Sequence, residues 1–90
     1  MDLIWTHRAS RDLVRLHDFL ALKDSDAAAN VIQRLTAAPE VLRTYPRMGQ
    51  RLDDEAGEIR RLLVLPYEIQ YRLEDQRILI LNIWHSSENR

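Results

Sequence analysis

The chain has 90 residues, enough for one small domain, so we expect a single domain over residues 1–90. Thirteen Lys and Arg residues against 14 Asp and Glu residues give a formal net charge of −1, which argues against binding nucleic acid by bulk positive charge and leaves a local basic patch open. The absence of Cys excludes a disulfide framework, a thiolate zinc site and a cysteine nucleophile.

The sequence lacks the apolar segments that are typical of secretion or membrane insertion. Charged residues occur throughout its first dozen positions, and its longest apolar runs, within 62–65 and 78–81, are far shorter than the roughly 20 residues of a membrane-spanning helix. We therefore expect a cytoplasmic protein that has no contact with a membrane.

The first part of the chain predicts a short strand followed by two helices. Leu3-Ile4-Trp5 is β-like, Thr6 or Ser10 is a candidate cap for the first helix, and Asp24-Ser25-Asp26 supplies a cap for the second. Both helices show apolar residues at spacings of three and four, namely Ala9, Leu13, Leu16 and Leu20 in the first and Ala28, Val31, Ile32, Leu35 and Ala38 in the second.

Pro39 interrupts the second helical pattern, because proline removes a backbone hydrogen bond and clashes with the preceding turn. We expect a kink or a restart there, with Val41 and Leu42 continuing the apolar row. A turn at 45–49 and a polar loop at 50–58 follow.

After Gly57 the pattern changes from a helical period to a period of 2, which indicates strands. Ile59–Leu65 is apolar on both faces, and Tyr67–Glu74 alternates between apolar and polar residues. Ile78–Trp84 is apolar at nearly every position, as expected of the central strand, and a tight turn at 74–76 precedes it. The predicted fold class is α+β in the order β-α-α-β-β-β, a helical hairpin packed on a curved, mainly antiparallel sheet.

The motifs of well-known enzyme classes are absent from the sequence, which has no phosphate-binding glycine loop, no zinc-protease motif and no nucleophile elbow. His7, His17 and His85 lack the spacing of metal ligands, and the acidic run Asp53-Asp54-Glu55 is typical of a solvated loop. We therefore expect neither a metal nor a cofactor.

One group of residues remains as a candidate site. Arg60 and Arg61 lie early in one predicted strand and His85 ends the last strand, so an antiparallel sheet can bring them close. A histidine beside arginines is suited to proton transfer and to stabilising the phosphorane-like transition state of RNA cleavage. The structural alternative is that the arginines pair with carboxylates such as Glu58 or Glu68.

Four segments carry a resemblance to a known family when they are taken together: THRASRDL (6–13), LRTYPRMGQ (42–50), EIRRLLVLPYEIQYRL (58–73) and ILILNIWH (78–85). On these segments the chain resembles the RelE/ParE superfamily of type II toxin–antitoxin toxins, and more closely its ParE branch. The resemblance extends over nearly the whole chain.

The resemblance implies a toxin that is neutralised by a cognate antitoxin, a protein of the ribbon-helix-helix type encoded beside it, in a hetero-oligomer. ParE-like members inhibit DNA gyrase by stabilising its cleaved complex with DNA, whereas RelE-like members are ribosome-dependent mRNA endoribonucleases. A non-toxic relative that only binds the antitoxin is a third alternative. Because proteins with these different activities share one fold, the fold alone does not indicate which activity this chain has.

Net charge and the end of the chain favour the ParE alternative. RelE-like nucleases tend to be strongly basic, with a Tyr or His near the C-terminus, whereas here the charge is −1 and no Tyr follows His85. We therefore expect a gyrase inhibitor rather than an enzyme, without strong binding of nucleic acid. The expected target-binding residues are Arg60, Arg61, Trp84 and His85, and for a ribonuclease the catalytic candidates are Arg60, Arg61 and His85.

Two further expectations concern partners and variants. The apolar residues of 59–65 and 78–83 exceed what one helical hairpin covers, so we expect an antitoxin segment to cover the remainder. We also expect Arg60→Ala with Arg61→Ala to weaken toxicity and to leave folding intact.

Overall fold

The computed structural model describes residues 1–52 and 57–87. Its elements in chain order are β1 (Asp2–Trp5), α1 (His7–Ala21), α2 (Ser25–Ala37), a 3-10 helix (Ala38–Arg43), β2 (Gln50–Arg51), β3 (Glu58–Val64), β4 (Tyr67–Glu74) and β5 (Arg77–His85). The strands form one sheet in the order β1-β5-β4-β3-β2, in which β1 is parallel to β5 and the other described pairs are antiparallel. The predicted α+β class is confirmed.

Thr6 joins β1 to α1 and fixes where the helix begins. Its hydroxyl accepts a hydrogen bond from the Ala9 amide at 3.2 Å and donates one to the Ile80 carbonyl at 2.6 Å. One side chain therefore satisfies an orphan N–H of the first helical turn and ties that turn to β5. Of the two candidate caps, Thr6 is confirmed, and Ser10 lies inside α1.

The second helix begins and ends at the predicted signals. Asp24 Oδ1 accepts hydrogen bonds from the amides of Asp26 and Ala27, and Pro39 opens the 3-10 helix directly after α2. Leu42 is fully buried, whereas Val41 is exposed, so the expected apolar row continues through Leu42 alone. Among the described helices, none is long and apolar enough to cross a membrane.

The middle strand of the sheet is β4, whereas the sequence predicts Ile78–Trp84 for that place. β5 is apolar at most of its positions because it lies between β1 and β4 and contacts α1. β4 alternates yet is well buried, and Arg61 and Gln70 donate hydrogen bonds to its Glu68 carboxylate. Glu68 is only 9% exposed.

Part of the predicted loop at 50–58 is a strand. Gln50 and Arg51 of β2 pair with Arg61 and Arg60 of β3, which makes β2 a two-residue edge strand. The sequence does not predict this strand, because two polar residues show no alternation of apolar and polar positions. Short polar strands are common at sheet edges. The acidic run Asp53-Asp54-Glu55 lies outside the described residues.

The two faces of the sheet have different roles. The helix face packs against α1, α2 and the 3-10 helix, and its fully buried strand residues are Ile69, Tyr71, Ile78, Ile80 and Ile83. We call the opposite side the open face, and by register it carries three rows: Ile59–Arg72–Leu79, Arg61–Gln70–Asn82 and Leu63–Glu68–Trp84. An irregularity between Gln70 and Tyr71 places Leu81 as an extra residue in β5.

The double role of Thr6 predicts that Thr6→Val destabilises the protein by about 1–2 kcal/mol. Valine has the shape of threonine but no hydroxyl, so it can neither cap α1 nor donate a hydrogen bond to the Ile80 carbonyl. Urea unfolding followed by circular dichroism measures the change. The matched control is Thr36→Val, since Thr36 is exposed and its hydroxyl donates within its own helix. Equal losses in the two variants would contradict the capping role.

Candidate functional site

The four predicted target-binding residues are divided between the two faces of the sheet. Arg61 and Trp84 lie on the open face, while Arg60 and His85 lie on the helix face. His85 pairs in register with Tyr67, which pairs with Val64, four residues along β3 from Arg60. At about 3.3 Å per residue and two strand spacings, the arginine and the histidine are too far apart to act on one bond.

Arg60 belongs to a cluster that holds the turn before β2. Its Nε donates to Glu58 Oε2 at 2.9 Å, and its Nη1 donates to the carbonyls of Gly49 at 2.7 Å and Arg47 at 3.2 Å. The side chain is only 15% exposed. Arg60→Ala would therefore leave these carbonyls unpaired, and we no longer expect the double alanine variant to fold like the native chain.

Tyr71 completes this cluster from β4. Its hydroxyl donates to the Pro46 carbonyl at 2.8 Å and accepts from the Gly49 amide at 3.0 Å. A Cβ at Gly49 would lie 2.5 Å from the Arg61 carbonyl and 2.7 Å from the Tyr71 hydroxyl, so only glycine fits. Burial raises the pKa of Tyr71 above its usual 10.0, which keeps the phenol protonated as a donor.

Arginine contacts hold the pKa of Glu58 below its ordinary value of 4.5. The hydrogen bond from Arg60 contributes most, and Arg47 adds a further hydrogen bond and charge, whereas burial acts in the opposite direction. Arg47 Nε lies 2.9 Å from Glu58 Oε2. Glu58, Arg60 and Tyr71 thus form a structural cluster rather than a reactive one, and the predicted Arg60–Glu58 pairing is confirmed.

Arg61 is the predicted residue most available on the open face. Its Nε and Nη2 donate to Gln50 Oε1 at 3.1 and 2.8 Å, and its Nη1 lies 3.4 Å from Glu68 Oε1. The side chain is 36% exposed, more than twice as much as that of Arg60. Trp84 lies on the same face, in register with Glu68.

His85 lies at the end of the helix face. Its ring meets that of Tyr67 edge to face at 5.4 Å, and its Nδ1 accepts a hydrogen bond from the Ser87 amide at 3.1 Å. An apolar cavity of about 530 Å³ adjoins this pair, lined by Leu16, Phe19 and Leu20 of α1. The sequence pattern of α1 does not predict this cavity, because Phe19 lies outside the apolar row of the helix and its side chain is 61% exposed.

The described open face carries carboxylates, but no histidine or tyrosine, as groups for general acid–base catalysis. By register its ionisable residues are arginines and carboxylates, and the described histidines and tyrosines lie elsewhere. Over residues 1–52 and 57–87, no cluster of three potential metal ligands occurs. The arrangement is suited to binding through arginine and tryptophan.

Comparisons with known proteins agree with this fold. The sequence profile of the ParE toxin of the type II toxin–antitoxin system parDE matches residues 3–90. Toxin RelE2 of Caulobacter vibrioides is 31% identical over 85 residues, which cover 94% of each chain, and Toxin RelE1 of the same organism is 34% identical over 88 residues, covering 92% of this chain and 90% of that protein. A structure of the chromosomal ParDE system of P. aeruginosa matches with a TM-score of 0.78 at 25% identity, over 94% of this chain and 95% of that one.

The pKa of Glu58 offers a test of the cluster. Because this pKa is lowered in the folded state, ionised Glu58 stabilises the protein above pH 4.5, and this contribution is lost as the pH falls through the folded-state value. We expect Arg60→Gln to raise the pKa towards 4.5, as followed by carbon NMR of the carboxyl group. Arg43→Gln, which removes an exposed ion pair with Glu40, should leave it unchanged. An unmoved pKa in Arg60→Gln would refute the assignment.

Proposed function

Because the chain belongs to the ParE toxin family of type II toxin–antitoxin systems, we propose that it inhibits DNA gyrase by binding and stabilising the cleaved gyrase–DNA complex. A cognate antitoxin neutralises it in the cytoplasm. In this mechanism the toxin makes and breaks no bond of its own. It binds a state of the target in which DNA is already cut, and so shifts the target's equilibrium towards that state.

The observation that carries this proposal is the composition of the open face. RNA cleavage requires groups that take up and release protons beside the scissile phosphate. On the described open face only carboxylates are of this kind, and that of Glu68 already accepts hydrogen bonds from Arg61 and Gln70, while His85 lies on the opposite face from Arg61. A surface of this kind is suited to binding a partner.

The alternative is a ribosome-dependent mRNA endoribonuclease, and the relatives named RelE1 and RelE2 favour it. The charge of the chain does not, since a net −1 opposes attachment to ribosomal RNA. Arg61 is itself close to a carboxylate of Glu68, which further reduces the local positive charge. A non-toxic relative that only binds the antitoxin remains an outcome of the experiments below.

We assign target binding first to Arg61 and Trp84, which share the open face. Arginine and tryptophan are the residue types that most often dominate the binding energy of protein interfaces. Arg60 supports this surface indirectly, because it fixes the turn that leads into β2, whose Gln50 orients Arg61. His85 is a candidate on the other face, where it borders the apolar cavity next to α1.

The antitoxin has a different surface available to it. Most of the apolar residues of β3 and β5 are at least partly buried, so the uncovered remainder is smaller than the sequence predicts. The apolar surface that stays exposed includes Phe19, which lines the cavity near His85, and Leu22, which directly follows α1. An amphipathic antitoxin segment that folds on binding would cover these side chains.

The gyrase mechanism is tested with purified protein, gyrase, ATP and supercoiled plasmid. We expect linear DNA, after denaturant and protease treatment, that requires both proteins. Arg61→Gln should reduce the yield roughly tenfold at equal protein concentration, as for loss of an interface arginine. Arg77→Gln is the matched control, since Arg77 lies at the other end of the open face and pairs with Glu74.

Two other results would each contradict the gyrase proposal. Absence of linear DNA with a folded toxin, together with cleavage of translated mRNA on ribosomes, would establish the endoribonuclease. Absence of both activities, with the antitoxin still bound, would establish the non-toxic relative.

The antitoxin surface is tested by titrating the toxin with the protein encoded beside it. We expect Phe19→Ala to weaken the complex by roughly tenfold or more, because truncating a buried aromatic anchor typically costs over 1 kcal/mol of binding energy. Val14→Ala is the control, since Val14 is 59% exposed on the same helix and does not line the cavity. Equal affinities for Phe19→Ala and native toxin would exclude this surface.

A further inference from the structure

A pocket on the open face contains two arginines and no carboxylate among its described lining residues. It has a volume of about 490 Å³ and is lined by Arg8, Gln70, Arg72, Asn82 and Trp84, among others. The wall is formed by the middle of β4 and β5 and by the first turn of α1. It lies beside Arg61, which shares a row of the sheet with Gln70 and Asn82.

Asn82 contributes a buried hydrogen-bond acceptor that has no donor among the described residues. The residue is only 8% exposed, and its Oδ1 atom has no hydrogen-bond partner among the described residues. A buried acceptor without a donor costs free energy, and such atoms are rare in folded proteins. The Oδ1 atom is covered by the chain itself, so an N–H group of a ligand reaches it, and removes this cost, when the Asn82 amide turns towards the pocket that the residue lines.

The two arginines add positive charge to the pocket, which the described residues balance only in part. Arg8 stands in the first turn of α1, where there is no acidic residue and where the helix dipole already presents its positive end. Arg72 forms a long ion pair with Glu74, in which Nη1 lies 3.8 Å from Oε2 without a hydrogen bond. Both guanidinium groups are therefore suited to a carboxylate supplied from outside.

We propose that this pocket binds an extended peptide segment of the target protein through one Asp or Glu side chain. The carboxylate lies between Arg8 and Arg72, a backbone N–H of the segment donates to Asn82 Oδ1, and the ring of Trp84 packs against the peptide. The pocket extends the Arg61–Trp84 surface, so this inference rests on the proposed function as a target-binding toxin.

A nucleic acid strand is a poorer match for the same place. The neighbouring positions of β4 are occupied by Glu68 and Glu74, whose charges would oppose a continuous row of phosphates. A single carboxylate between Arg8 and Arg72 brings one negative charge near Glu74, rather than a row of them. A peptide also carries N–H groups along its backbone, which is what the unpaired acceptor of Asn82 requires.

The ligand chemistry is tested on the folded toxin alone by NMR titration with acetyl-Gly-Glu-Gly-amide and its neutral match, acetyl-Gly-Gln-Gly-amide. We expect the acidic peptide to shift the Asn82 side-chain amide and the Trp84 indole, with at least tenfold weaker binding of the neutral peptide. Arg8→Gln or Arg72→Gln should abolish the preference, and Arg77→Gln should keep it. Equal binding of the two peptides, no binding at these residues, or stronger binding of a pentanucleotide RNA there would overturn the proposal.

The gyrase assay separates this inference from the function on which it rests. If native toxin and Arg77→Gln produce linear DNA and Arg8→Gln with Arg72→Gln produces roughly tenfold less, the pocket contacts the target. If that double variant is folded and as potent as native toxin, the pocket is overturned and the gyrase mechanism stands. If native toxin produces no linear DNA, the gyrase mechanism fails and with it the assignment of the pocket to that target.

Discussion

The strict alternation of β4 is the constraint on which the rest of the molecule depends. Tyr67, Ile69 and Tyr71 face the helices, and Glu68 and Gln70 between them face the other way. A shift of one residue would exchange the two sets and bury charge in the core. The Tyr71 hydroxyl helps to fix this register, because it binds a turn remote in sequence through the Pro46 carbonyl and the Gly49 amide.

This alternation explains how two adjacent arginines acquire different roles. Arg60 points to the helix face, where it binds Glu58 and two carbonyls and holds the polypeptide in place. Arg61 points to the open face, where it stays partly exposed beside Gln50 and Glu68. Arg60 therefore stabilises the turn next to the open face, whereas Arg61 lies on that face and is partly exposed. Glu58 balances the charge of Arg60, and Glu68 lies close to that of Arg61.

The elements that could be predicted from the sequence are those whose apolar residues repeat with a clear period. The helices, β1 and the β4–β5 hairpin are of this kind, and the period of 2 also implies that Arg60 and Arg61 face opposite ways. β2 could not be found, because two polar residues carry no period. The place of β4 depends on pairing between remote segments, and the face of the sheet that Asn82 occupies depends on the extra residue Leu81, which local patterns do not reveal.

The parallel pairing of β1 with β5 has a consequence for synthesis of the protein. Asp2 pairs with Arg77, and Thr6 binds the carbonyl of Ile80, so the first strand and helix need the last strand as their partner. On the ribosome, the nascent chain emerges from its N-terminus and cannot close its core until β5 has been translated. Translation that stops before β5 therefore yields chains in which β1 has no strand to pair with, rather than shortened toxins.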